Sequence, residues 1–588
     1  MGASIHPFLQ DGQNPLLYCL DRGFFDREEI LVAMTRSLLL RTLRQVYQVA
    51  RQSQNTGMTT AEVIGQAQER GQRQGGRLSR RRLLQGGLAL GSALLATQCR
   101  RLPLIARPGS ASVLVVGAGM AGLTAAYRLK QAGVRVDMIE ARGRVGGRIQ
   151  TLHNALGSGI PVELGAEFID SDHLALLTWA EELGLEVVDI YGDGGDLSPV
   201  YSVGGQSVPV EQLVEEFAPA MGRIAKDLKA IADFEDYQNY NPATARLDNT
   251  SIAQYLQNLP ISESVRRLLE NAYTAEYGLD VQDVSALGLL FEIGSEAEDF
   301  DPFVYSEERY YIPGGMEQLP QRLARLLEDE LETRVALEAI RTLPDGRYQV
   351  TVRTHPNVLS DRTYERVILA VPLPVLAQVD FRLDLPPLKK QAIAQLGYGT
   401  NAKLITRYSQ NIWQDRYGAN GSSVSDSGHQ VTWESTQSFL TPEAAVLTNF
   451  VGGSRGLALA QISTAEATNQ LLQELEVIFP GITDVQLLGQ ATKIHWSSVP
   501  YSYGSYSCFK VGQYTQFYGA LGQSVGNLHF AGEHTSLEYS GYMEGACDSG
   551  ERVALEVLEA MGLRPEANAQ KARFQQLGAA RRWVRERV

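Results

Sequence analysis

Cysteine is scarce: Cys19, Cys99, Cys508 and Cys547 are the four in a chain of 588 residues. Their spacing holds no C-x-x-C pair and builds no disulfide framework. Histidine is thin too, eight residues with no pair spaced like zinc ligands, so no metal centre is expected. A long apolar run is missing. The moderately apolar stretch 86–96 is too short to cross a bilayer as an ordinary helix. Positive charge is in deficit, and the net charge of −14 disfavours non-specific nucleic-acid binding. The remaining composition, 44% hydrophobic and 20% charged, is ordinary for a globular protein. The length allows two or more cores.

Residues 1–77 read as a separate extension. Within 27–52, Ile30, Met34, Leu38, Leu39, Leu43 and Val46 fall at helical spacing between arginines. Such an amphipathic helix suits packing on protein or lying on a membrane surface. Residues 52–76, rich in Gln, Gly and Arg, read as a linker. Ser79-Arg80-Arg81-Arg82-Leu83-Leu84-Gln85, with the apolar run after it, resembles a twin-arginine export signal over 78–110. That implies a periplasmic, thylakoid-lumen or membrane-associated destination, and a cytoplasmic one if the signal is not used. A basic linker before a short core helix is the alternative.

The chain is organised around 113–148. Val113-Leu114-Val115-Val116 has the length of a buried parallel strand. Gly117-Ala118-Gly119-Met120-Ala121-Gly122 follows, then helical spacing to Gln131, a stop at Gly133, and a second strand over 134–139 ending at Glu140. The first Gly makes the tight turn, the second lets backbone approach a pyrophosphate, and the third allows close helix–strand packing. The helix N-terminus faces the negative charge. Glu140 lies about 20 residues on, where a carboxylate accepts from a ribose hydroxyl. A dinucleotide is expected; the motif leaves NAD and FAD open.

Further along, 161–169 reads as a strand with a Gly break, and 210–294 is helical in pattern. The Pro313-Gly314-Gly315 turn announces a helix over 317–329. Strands are expected over 335–341, 348–353 and 367–371, with Asp345-Gly346 as a hairpin turn. Segments 396–413 and 431–451 add strand-like stretches. A strand, a Gly-Glu turn and a long helix from near Met543 fill 527–562, and a peripheral helix follows Pro565.

Four segments together resemble the flavin-dependent amine oxidase family, which holds monoamine and polyamine oxidases and L-amino acid oxidases. The first is Arg144-Val145-Gly146-Gly147-Arg148, a doublet that in the family marks FAD. The second is Gly532-Glu533-His534-Thr535 with Gly541-Tyr542-Met543 after it; the resemblance puts the Gly-Glu pair on FAD and Tyr542 in an aromatic cage. The third is His495-Trp496 running into Gly504-Ser505-Tyr506, which makes Tyr506 the second cage wall. Ser505 stands where some relatives carry a flavin-bonding Cys, so FAD is expected to be non-covalent, with nearby Cys508 the competing thought. The fourth, Asn401-Ala402-Lys403-Leu404, resembles the strand whose lysine serves the flavin; a surface lysine is the alternative.

The resemblance implies an α/β fold: a Rossmann-like FAD-binding domain of discontinuous segments plus an α+β substrate domain with a helical insertion. The expected division is FAD-binding over 111–208, 311–379 and 501–562, a helical insertion over 209–310, a substrate sheet over 380–500, and a peripheral helix over 563–588. The cofactor set is Gly117, Gly119, Met120, Ala121, Gly122, Glu140, Ala141, Arg142, Gly147, Arg148, Gly165, Ala166, Glu167, Val335, Gly532, Glu533 and Met543. The catalytic set is Lys403, Trp496, Tyr506 and Tyr542. The implied reaction moves hydride from an amine α-carbon to flavin N5, giving an imine that hydrolyses, with oxygen reduced to hydrogen peroxide. An L-amino acid oxidase and a quinone-linked dehydrogenase are the alternatives. The segment Leu164–His173 carries no Arg to hold a substrate carboxylate, which favours a plain amine. A membrane surface and a second copy of the chain are partners left open.

Overall fold

The structure is a computed structural model that describes residues 112–585 apart from 155, 158, 191–197, 294–307, 355 and 437–444. The amphipathic helix, the linker and the twin-arginine-like segment lie outside the described residues.

Five short strands build a wholly parallel sheet in the order Leu528–Phe530, Arg366–Leu369, Ser112–Val116, Arg135–Glu140, Leu331–Thr333. Every residue of the central strand Ser112–Val116 is buried, as the unbroken apolar run requires of a strand covered on both faces. Helix Met120–Gln131 covers one face and packs along the C-terminal helix Met543–Ala560. Residues hundreds of positions apart therefore meet at the carboxyl ends of these strands, where open α/β sheets bind ligands.

A second sheet of seven strands holds Gln486–His495, Ala402–Tyr408, Ala445–Val451, Val431–Glu434, Ala419–Ser425, Ser198–Val203 and Gln206–Ser207, in that order. The last two strands fall in the stretch assigned from sequence to the cofactor half, yet Ser198–Val203 pairs parallel with Ala419–Ser425. Burial explains the difference: Tyr201 is 1% exposed inside the core shared with the helical insertion. That insertion runs from Val210–Phe217 to Ala286–Ile293 as a series of helices. Its longest, Glu263–Tyr277, is capped by the Ser262 hydroxyl and stops at Gly278 in the left-handed conformation.

A four-stranded sheet, ordered Val358–Tyr364, Tyr348–Thr354, Val335–Thr342, Asp380–Arg382, completes the described strands beside short two-stranded pairs. Val358–Tyr364 escaped the sequence reading because it is an exposed edge with little apolar alternation. The strand expected over 161–169 shrinks to Val162–Glu163, because the following residues leave the sheet to wall a cavity. The final helix, Arg564–Arg585, is better anchored than a peripheral helix. Gln570 and Arg573 reach the fully buried Glu551, which also receives Arg128, and Arg128 and Arg573 share Glu182. Removing one partner of so buried a pair costs about 3–5 kcal/mol. Among the described residues, no helix is long and apolar enough to cross a membrane.

Candidate active site

The glycine turn is fixed by contacts that only hydrogen tolerates. Gly117 sits at φ +103°, and a Cβ there would lie 2.6 Å from Ala370 O. A Cβ on Gly122 would lie 2.0 Å from Gly117 O, so this glycine seats the helix on the turn. Gly122 is therefore not a wall residue, a correction to its place among the expected cofactor contacts: the close packing that demands glycine also keeps it behind the turn. Gly119 differs, with nothing within 4 Å of where its Cβ would be. It opens on a cavity lined next by Met120 and Ala121 at the helix N-terminus, where no side chain caps the backbone N–H groups. Such a terminus receives an anion.

Glu140 is 6% exposed and lines the same cavity with Ala141 and Arg142. Its carboxylate accepts from Ala118 N at 2.9 Å and Arg142 N at 2.8 Å, which fixes the acid at the strand end. Arg142 donates to Pro500 O and Ser502 Oγ, and burial pushes its guanidinium down to about 10. Gly147, Val335, Val371 and Pro372 form further wall.

Glu533 lines the cavity and braces it as well. Its carboxylate accepts from Arg148 Nη1 at 2.9 Å, Ser507 Oγ at 2.6 Å, Gly541 N at 2.8 Å and Tyr398 OH at 3.2 Å. Burial alone would raise this acid, but the Arg148 guanidinium and these bonds hold it at about 2. The side chain ties together three cavity-wall segments, with Arg148 also donating to Ser505 O at 2.7 Å. Gly532 and Glu533 line the cavity beside Met543, the first residue of the C-terminal helix. Glu544, one residue on, faces away and caps helix Leu174–Glu182 through Ala175 N and Leu176 N.

The remaining expected residues wall the other end. Trp496 is 4% exposed and donates Nε1 to Leu164 O at 2.9 Å. Tyr506 donates its hydroxyl to Glu276 O, and Tyr542 meets His173 edge-on at 5.2 Å. Lys403 is 5% exposed, which removes the surface alternative, and bonds to Glu167 at 2.7 Å. Gly165, Ala166 and Glu167 line the cavity beside it.

Several wall residues were not read from sequence. Trp433, Phe168 and Phe450 form an aromatic chain, with centroids 6.3 and 5.5 Å apart. Trp433 lies on an expected strand, but nothing in the chain said which face it took. Asp170, His173 and Glu276 also line the cavity. Asp170, Asp172 and His173 cluster within 4.8 Å, each engaged in the fold: Asp170 N donates to His173 Nδ1, and Tyr539 OH donates to Asp172. Glu276 sits two residues before the helix-ending Gly278, a signal too general to pick it out. Ser505 lines the cavity and bonds Asn401, whereas Cys508 is packed in the core, where burial pushes its thiol up.

A dinucleotide with a flat ring system suits these walls. The turn and open helix end suit a diphosphate, Glu140 a ribose, and Val335, Leu337, Val371 and Val379 an apolar ring. One further observation points to a bound group: His534, inside the Gly-Glu-His-Thr motif, is 4% exposed and lines the cavity with neither ring nitrogen bonded. An unpaired buried polar group costs about 1–3 kcal/mol, which a ligand atom would recover.

Comparison with known proteins places this architecture. The family model for flavin containing amine oxidoreductases matches residues 120–558. Human amine oxidase [flavin-containing] B is 28% identical over 476 residues, 77% of this chain and 87% of that protein. The L-amino-acid oxidase of Siganus canaliculatus is 26% identical over 459 residues, 76% of this chain and 85% of that protein. Among solved structures, cyclohexylamine oxidase from Brevibacterium oxydans IH-35A shares the fold with a TM-score of 0.67 at 24% identity, covering 77% of this chain and 99% of that one. Putrescine oxidase bound to putrescine gives 0.65 at 23% identity, with 77% and 99% covered. The chain therefore belongs to the flavin containing amine oxidoreductase family, and its activity is FAD-dependent oxidative deamination.

Proposed function

We propose that the substrate is an amine carrying a second cationic group, with oxygen as electron acceptor and hydrogen peroxide as product. The observation that carries this is the charge of the cavity wall beside the two tyrosines. Asp170 and Glu276 line it there, Asp170 being oriented by Glu308 N and His173, while the lining cations Arg148 and Lys403 are countered by Glu533 and Glu167.

Bound FAD supplies a two-electron acceptor for oxidation of the amine carbon–nitrogen bond. The protein's share is orientation and desolvation. Tyr506 and Tyr542 offer aromatic faces to an amine, and Tyr506 is fixed by its bond to Glu276 O. Trp433, Phe168 and Phe450 exclude water from an aliphatic stem. Carboxylates at Asp170 and Glu276 hold the distal ammonium, leaving the reacting amine to lose its proton to solvent. An α-amino acid would bring a carboxylate toward the acidic wall at Asp170 and Glu276, which disfavours it there. FAD is held without a covalent bond, since Ser505 faces the cavity and Cys508 does not.

An anaerobic flavin-bleaching screen tests the reading. Diamines and polyamines are expected to reduce the flavin faster than monoamines or neutral L-amino acids. Preference for a neutral L-amino acid would overturn it. Amine turnover in air without peroxide would sink the oxygen assignment in favour of a quinone. Acid precipitation of the protein is expected to release all the flavin to the supernatant. The Ser79–Gln85 segment supports export, which cell fractionation checks.

A further inference from the structure

The ammonium of Lys403 has three protons to donate, and all three are taken. Nζ donates to Glu167 Oε2 at 2.7 Å, Gly165 O at 2.8 Å and Glu163 O at 3.2 Å. Both side chains of the ion pair are 6% exposed, and both line the cofactor cavity. The three acceptors belong to the single segment Glu163–Glu167, so the end of one strand and the chain after it draw the lysine to themselves. None of its donors is left for a water or for a group in the cavity.

A second carboxyl lies in the same segment. Glu163 is 3% exposed and accepts from Tyr311 OH, Met316 N and Thr151 Oγ1 at 2.8–3.1 Å. The cluster thus sets a second carboxyl near the Lys403–Glu167 pair, although Glu163 meets the ammonium through its backbone oxygen. Burial foremost, and the neighbouring Glu167 after it, push Glu163 up to about 7. This patch of wall is therefore not electropositive, although a lysine stands in it.

Reduction adds negative charge to a flavin, and an uncompensated buried cation would stabilise that charge. We propose that Glu167 is a positioning residue that pins Lys403 and cancels its charge, so that this chain holds its cofactor at a lower reduction potential than the lysine alone would set. The inference rests on FAD being the group that fills the cavity.

The test uses the FAD-loaded protein and no amine. Midpoint potential is measured by reductive titration against a reference dye, and sulfite affinity by bleaching of the oxidised flavin, since the sulfite adduct also places negative charge on the ring. Glu167→Gln keeps an acceptor for Lys403 but removes the charge. It should shift the two-electron equilibrium at least tenfold toward reduced flavin, about 30 mV upward, and tighten sulfite binding at least tenfold. Adding Lys403→Met to that variant should return both values to within threefold of wild type. Glu167→Ser should behave as Gln does, and Glu167→Asp, which keeps the charge, should stay near wild type.

Wild-type values in both uncharged variants would overturn the proposal. An equal shift in Glu167→Asp would overturn it as well, by marking a packing effect. A wild type that no amine reduces would defeat the substrate reading while leaving these potentials measurable.

Discussion

Glu533→Gln is the most informative perturbation of the cofactor cradle. The wild-type carboxyl sits at about 2 against an ordinary 4.5, so the folded protein prefers its charged form by about 2.5 pKa units. At roughly 1.4 kcal/mol per unit, the charge contributes about 3 kcal/mol near neutral pH. Gln leaves the Arg148 guanidinium without its counter-ion and gives Ser507, Gly541 and Tyr398 a weaker acceptor. Because those groups stand on the cavity wall or behind it, part of the loss should appear in FAD affinity, up to about a hundredfold. The sign with pH follows from the depressed value: the stabilisation is complete above about 4.5 and is lost as pH falls through about 2. Urea unfolding of both proteins at fixed FAD should therefore show a deficit of about 3 kcal/mol at pH 7, shrinking toward about 1 kcal/mol at pH 3. A deficit below 0.5 kcal/mol, or one that stays constant from pH 7 to pH 3, would refute the clamp.

Three further outcomes are expected. His534→Phe keeps the ring but removes both nitrogens, and should weaken FAD binding to apoprotein about tenfold by fluorescence titration; unchanged affinity would show that the imidazole finds no partner on the cofactor. Glu163, raised to about 7, contributes stability that is present below about 4.5 and lost as pH rises through 7, so wild type should lose about 3 kcal/mol over that range. Glu163→Gln should flatten that slope in denaturation curves, and an unchanged slope would remove Glu163 as its source. Tyr542→Ala should slow anaerobic flavin reduction by an amine at least tenfold while leaving FAD content intact; equal loss of both would make Tyr542 a cradle residue instead.

Much of the cofactor half was legible because its determinants are local. A buried strand, a glycine turn and a helix start are written in consecutive residues from Val113 to Gln131; Gly117 and Gly122 each answer a contact within their own unit or beside the adjoining strand, and Gly119 opens on the cavity. The acid at Glu140 follows from the same unit. The distant motifs around Gly147, Trp496, Tyr506 and Gly532–Met543 were legible through resemblance, and the fold brings them to one cavity with the first unit.

The substrate end was legible only in part. Trp433, Phe168 and Phe450 come from separate segments, and a strand residue's face is set by which neighbours it pairs with, a choice made across the sheet. Ser198–Val203 joined the substrate sheet for the same reason: its partner lies more than 200 residues later in the chain.

Sequence alone thus determined that a dinucleotide is held, and where the chain turns to hold it, because backbone sterics and periodicity act over a few residues. Tertiary structure decided the charges. Lys403 could be read as a cationic residue near a flavin, but only packing against Glu163–Glu167 shows that its three donors are consumed and its charge countered. Glu533 could be read as a cofactor contact, but only the meeting of Arg148, Ser507 and Gly541 makes it a clamp. Electrostatics depends on distance and burial in space, and neither is encoded in the order of residues along the chain.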